Sequence, residues 1–264
     1  MDSLKIQSAL ASALLLAFFL YPLAVLIYVG APELSAALAT GSFLQALAVT
    51  MIMSSAAAVL AVILGVPVAY TLARYDFKLK GFVDAIVDLP IAIPHVVVGL
   101  MVVLAFATYG AAPLLERLGL NVINTLPGAV IAVSYLSSTY AVRTVEAAIR
   151  SLSPDVEAVA RTLGAGPLRA FLSVVLPNIW RAVVNGALLA WARSVSEAGA
   201  LFIVAYYVAF GGTLVYPASV YIYQAYEGVG LAQAAKFAAA LAIVVLVIFI
   251  AVRAAVGRVE GKRA

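Results

Sequence analysis

The chain has 264 residues, of which 66% are hydrophobic and 11% charged, with a formal net charge of +4 and a mean hydropathy of +1.12. So little polar surface excludes an ordinary soluble domain of this length. The absence of cysteine excludes a disulfide framework or a thiolate metal site, and a single histidine, His95, excludes a histidine-cluster zinc centre.

Repeated apolar runs instead predict an all-α integral membrane protein, each run near or above the ~17–25 residues a spanning helix needs. The first, 8–29, follows a short polar start with Lys5. It exceeds the ~7–15 residues of a signal-peptide core and reads as a membrane anchor. The second, 43–73, contains Ser54, Ser55, Ala56, Ala57 and Ala58, small residues that permit close helix approach. The third, 82–109, holds Pro90 and Pro94, which kink the span or break it where a gate forms, with Gly99 beyond them. Asp84 and Asp88 repel each other at i, i+4, so one is expected to meet a basic neighbour such as Arg143. His95 is expected to be a hydrogen-bonded packing residue.

The fourth run, 126–142, is interrupted by Ser134, Ser137, Ser138, Thr139 and Tyr140. The fifth, 182–208, carries Arg193 and Glu197, spaced to neutralise each other, either beside a translocation path or as a structural pair. The sixth, 232–252, holds Lys236, expected to snorkel to the interface. No domain boundary or internal repeat is visible, so 1–264 reads as one membrane domain.

Charge then orients the chain. Thirteen of the 16 cations fall before the first run, between runs two and three, between runs four and five, or in the tail from Arg253 to Lys262 and Arg263. The positive-inside rule puts these segments, and both termini, in the cytoplasm. This asymmetry accounts for the net charge without a nucleic-acid partner. On the outer side, Tyr206, Tyr207, Tyr216, Tyr221, Tyr223 and Tyr226 cluster around Gly211, Gly212 and Pro217, where a short helix or re-entrant segment is expected.

The cytoplasmic segment 151–178 contains VEAVARTLGAGPLRAFLSVVLP, residues 156–177. Ser153-Pro154-Asp155 is a helix start, with a hydroxyl cap, proline at the first position and an acid at the positive dipole end. Val156, Val159, Ala160 and Leu163 form one apolar face, with Glu157 and Arg161 paired opposite. Gly164 ends this helix, and Pro167 after Gly166 opens a second one.

This segment resembles the signature loop of ATP-binding-cassette importer permeases: EAA, three residues, Gly, nine residues, Ile, any residue, Leu-Pro. Aligned on Gly164, with Ala165 and Gly166 following, the loop ends at Leu176-Pro177. The EAA triplet falls on Ala158-Val159-Ala160, with Glu157 one residue earlier. RYDFKLKGFVDAIVDLPIAIPHVVVGL and WARSVSEAGALFIVAYY are similar to the third-span entry and fifth span of the molybdate, tungstate and sulfate branch.

The resemblance implies a type I importer permease with six transmembrane helices, working as a homodimer in the cell membrane. Each cytoplasmic loop would dock on one of two separate ATPase subunits, which bind the ATP and magnesium, and an extracytoplasmic binding protein would deliver a tetrahedral oxyanion, molybdate or tungstate, with sulfate or another small anion as the alternative. The chain has no Gly-x-x-x-x-Gly-Lys-[Ser/Thr] phosphate loop, and the loop resemblance gives it no catalytic residue, cofactor or metal of its own. A secondary transporter would need a coupling-ion site, and an intramembrane enzyme would need paired catalytic groups at membrane depth. The runs show one buried ion pair, Arg193 with Glu197, and no paired catalytic carboxylates, so an ATPase-independent transporter or channel stays as the second reading.

Overall fold

A computed structural model describes residues 3–261, so Lys262 and Arg263 of the expected cytoplasmic tail lie outside the described residues. Helix α1 (Ser3–Gly30) leads through a 3-10 turn (Ala31–Glu33) and short α2 (Leu34–Ala39) into α3 (Gly41–Arg74). Next come α4 (Lys80–Ala92), α5 (His95–Val103) with a π-helical extension (Leu104–Thr108), and α6 (Ala112–Arg117). The polar-interrupted run forms α7 (Leu126–Ser151). After it lie α8 (Pro154–Thr162), α9 (Pro167–Ala170), a π-helical turn (Phe171–Val175), α10 (Leu176–Val195) and α11 (Leu201–Val204). A hairpin of β1 (Val208–Phe210) and β2 (Thr213–Val215) precedes α12 (Ala218–Val229) and α13 (Leu231–Gly261).

Among the described residues, four helical stretches are long and apolar enough to cross a membrane: 4–39, 41–74, 167–195 and 231–258. The pair α4 and α5, bent by 112° at residues 93–94, makes a fifth when the two helices are counted as one broken span. The run 82–109, expected to kink or break at its prolines, is thus broken into two helices. Pro94 supplies the reason, since it disfavours helical backbone at the residue before it, and Ile93 is extended at φ −79, ψ 132.

Helix α7 is long enough to span, at 26 residues, but its composition is too polar to be recognised by hydropathy. It lies between α3 and α10, so Ser137, Thr139 and Glu146 are buried in protein. The three helices meet through small residues: Ala61 of α3, Ala141 of α7 and Ala190 of α10 are essentially inaccessible and form one cluster. A Cβ at Gly186 would come within 3.2 Å of Ala141 Cα, and one at Gly65 within 3.1 Å of Val142 Cγ2. Close backbone approach of this kind is how membrane helices gain van der Waals contact without a hydrophobic driving force.

Two expectations are corrected. The run 182–208 is not one helix: α10 stops at Val195, because Glu197 folds back so that its Oε1 accepts from the Ala200 amide at 2.8 Å and satisfies the next turn. Nor is the chain wholly α-helical. Val208-Ala-Phe and Thr213-Leu-Val pair antiparallel across Gly211 and Gly212, whose φ of 58° and 79° suit a tight two-residue hairpin turn. The Gly-Gly pair between β-prone triplets is the signal that marks it. The expected outer helix is α12, whose Tyr221 packs on Phe43 and Phe237 at 5.6 and 5.1 Å.

Helix α1 stands apart, packing on α13, with Gly30 against Ala235 and Ala239 and most other side chains exposed. Lys236 of α13 does not merely snorkel: its Nζ lies 3.1 Å from Glu33 Oε2, tying the α1–α2 connection to α13.

The small-residue seam gives a direct test. Gly186→Leu is expected to overpack the α7–α10 contact at a cost of about 1–3 kcal/mol. A lower unfolding temperature of the detergent-solubilised protein, with Gly186→Ala lowering it less, is the expected result.

Candidate functional site

The segment between α7 and α10 is a helix, turn and helix as its residues dictate. Ser153 caps α8, its Oγ accepting from the Asp155 amide at 3.2 Å, and Pro154 occupies the first helical position. Gly164 adopts φ +89°, a left-handed conformation that ends α8 with little strain. Gly166 is extended and Pro167 opens α9.

The second half continues as one helical stretch into α10 despite Pro177. A proline there lacks an N–H and crowds the preceding turn. The π-helical turn 171–175 widens the helix where that crowding falls, and Asn178 Nδ2 donates to the Val174 carbonyl at 2.7 Å.

The orientation of α8 reverses the usual amphipathic arrangement. Val156, Val159 and Leu163 are exposed, Leu163 at 84%, as are Ala158, Arg161, Thr162 and Leu168. Ala160 and Ala165 are half-buried. Glu157 points inward and is 7% exposed. It does not form the expected pair with Arg161. Instead Tyr70 donates to Glu157 Oε1, and Arg74 Nε lies 3.6 Å from Glu157 Oε2, with both Arg74 and Glu157 side chains only 10% exposed. Arg74 Nη2 also donates to the Leu152 carbonyl at 2.9 Å. The last turn of α3 therefore holds the arm by its charged residue and leaves the apolar residues free. Tyr70 and Arg74 were not singled out in the sequence, because partners 83 and more residues away leave no local spacing signal.

A second clamp lies one layer deeper. Arg143 contacts Asp84 at 2.8 Å, Asp88 at 2.7 Å and Glu146 at 2.5 Å, so it meets both expected aspartates. Glu146 is also paired to Arg150 at 2.6 Å, and Arg150 Nη2 donates to the Leu72 carbonyl at 3.0 Å. Helices α3, α4 and α7 are joined at this end by a network rather than an isolated pair.

Within the bundle, Arg193 Nη2 lies 2.9 Å from Glu197 Oε2. Glu197 is fully buried. The sequence reading missed a third member: His95 Nδ1 is 3.3 Å from the same carboxylate oxygen, and His95 Nε2 is 2.7 Å from Arg193 Nη2. The break at Pro94 brings His95 there as the first residue of α5. Gly99, one turn further, packs on the same segment; a Cβ would meet the Ala200 carbonyl at 2.8 Å. Pro90 is buried in α4 and Pro94 caps α5, so both flank the bend. Among the described residues, no group of three or more acidic or histidine side chains is placed to hold a metal ion.

These features coincide with a transporter class. The family of binding-protein-dependent transport system inner membrane components matches residues 61–262, and the chain belongs to it. It is a multi-pass membrane permease component, not an enzyme. The molybdate/tungstate transport system permease protein WtpB of Pyrococcus furiosus is 34% identical over 260 residues, covering 97% of each chain. The sulfate transport system permease protein CysT of Salmonella typhimurium is 34% identical over 158 residues, 60% of this chain and 57% of that protein. Among solved structures, a bacterial ABC transporter that imports the acidic polysaccharide alginate superposes with a TM-score of 0.73, covering 97% of this chain and 96% of that one at 19% identity. That likeness shows the fold.

If Glu157 anchors the arm, Glu157→Ala leaves Arg74 buried without its charge partner, a loss of about 3–5 kcal/mol for a buried pair. Trypsin is then expected to cut at exposed Arg161 at least about tenfold faster than in the parent, because cleavage follows the population of the opened arm. Equal cleavage rates would remove the anchoring role.

Proposed function

We propose that the chain is the membrane-spanning subunit of an ATP-driven type I importer for a tetrahedral oxyanion, tungstate or molybdate first and sulfate second. The observation that carries the coupling mechanism is the inverted arm: Val156, Val159 and Leu163 exposed on α8 while Glu157 is held inward. An apolar face turned away from its own bundle at a charged, polar end of the protein suits a protein partner, here a groove on a separate ATPase subunit. The oxyanion class is supported by relatives named for molybdate/tungstate and for sulfate transport.

In this reading α1, α3, the bent pair α4–α5, α7, α10 and α13 are the six spans. Both termini and the α8–α9 arm face the cytoplasm. Two copies of the chain line one path, each arm gripped by one of two ATPases that supply ATP and magnesium. A binding protein delivers cargo on the side of the β1–β2 hairpin and α12. Closure of the ATPase pair would draw the two arms together. The stiff link from α8 through Glu157 to Tyr70 and Arg74 would carry that displacement into α3, while the π turn passes it into α10. The Arg143 network would keep α4 and α7 moving with them.

Two outcomes test the proposal. Leu163→Asp puts a charge on the exposed face without touching the core, and it is expected to weaken ATPase binding by more than about tenfold, equivalent to about 1.4 kcal/mol. Proteoliposomes holding permease, ATPase and binding protein are expected to take up radiolabelled tungstate only with ATP. Unchanged ATPase affinity would defeat the docking assignment, and ATP-independent uptake by the permease alone would defeat the importer assignment.

A further inference from the structure

We infer that Arg193, held by Glu197 and His95, is a weak binding point for a divalent oxyanion inside the membrane path; this rests on the importer reading above.

The three side chains differ sharply in burial. Glu197 is fully buried, Arg193 has 14% of its side chain exposed, and the His95 ring 45%. Ionisable groups at membrane depth face protein or a water-filled cavity rather than lipid. His95 sits at the bend halfway along the α4–α5 pair. The open side of the cluster therefore faces an aqueous route or the second copy of the chain.

The hydrogen bonds leave the right groups available. Glu197 cannot swing outward freely, because its Oε1 accepts from the Ala200 amide and its backbone carbonyl accepts from Ser219 Oγ at 2.5 Å. Its Oε2 makes no hydrogen bond but lies 2.9 Å from Arg193 Nη2 as an ion pair, and the same nitrogen approaches His95. Arg193 Nη1 has only a long contact, 3.4 Å to Ser196 Oγ, and its Nε has no partner among the described residues. The guanidinium is thus pinned by one nitrogen and presents the remaining N–H donors, geometry suited to oxyanion oxygens. The positive end of α5 begins at His95 and adds to the same field.

Glu197 also sets the strength. An unopposed arginine in a low-dielectric path would bind a dianion too tightly for passage, whereas transport needs sites strong enough to admit the ion and weak enough to release it. The buried carboxylate offsets most of the arginine charge and acts as a positioning residue.

The cysteine-free sequence permits a direct test on the assembled transporter. In His95→Cys, a small cationic thiol reagent is expected to label the residue, and millimolar tungstate is expected to slow labelling at least threefold and saturably, while equal ionic strength of chloride does not. Adding Arg193→Gln should abolish that protection. Arg193→Gln alone should lower tungstate uptake at least tenfold and Arg193→Lys less. The neutral pair Arg193→Gln with Glu197→Gln should assemble yet stay slow. Parental uptake by the neutral pair would reduce Arg193 and Glu197 to a structural pair. Absence of labelling, or labelling that tungstate does not slow, in a complex whose parent imports tungstate would overturn the site. A parental complex that imports no oxyanion would instead overturn the importer reading.

Discussion

Everything in this bundle depends on three helices approaching closely enough to hide polar side chains from lipid. Ala61, Ala141 and Ala190 allow that approach, with Gly65 and Gly186 beside them. Lipid gives apolar side chains no reason to associate, so contact must come from packing at short range. Once α3, α7 and α10 are close, α7 can carry buried hydroxyls and Glu146 along its length. A helix with that composition would be costly against hydrocarbon.

The same constraint governs the charges. Arg143 draws Asp84 and Asp88 of α4 and Glu146 of α7 to one point, turning a like-charge repulsion into a joint between helices. Deeper in the bundle, Glu197 breaks α10 and fastens the turn that follows, while its other oxygen faces Arg193 and His95. One oxygen of this carboxylate is held by the Ala200 amide and the other lies within ion-pair distance of Arg193 and His95, and the bend at Pro94 is what brings α5 to it.

The α8–α9 arm is the counterpart at one end of the bundle. Its helix is fixed through the one carboxylate that faces inward and is otherwise open to a partner. It is held on one side and exposes an apolar face on the other. The π turn lets the helix run on past Pro177, so the arm and α10 are continuous rather than hinged there.

Much of this was fixed by residue order. The long apolar first, second and last runs, the Ser153-Pro154 start, the Gly164 stop and the break at Pro94 each follow from local chemistry, so they are legible without coordinates. The partners of Glu157 and His95 were not, because Tyr70, Arg74 and Arg193 lie far away in sequence and meet them only when helices pack. The end of α10 at Val195 was hidden for the same reason: apolar residues continue to Val208, and only the folded-back Glu197 stops the helix. Local periodicity specifies which residues share a face; what that face meets is settled by the tertiary structure, since burial and charge pairing depend on distances that the linear chain does not contain.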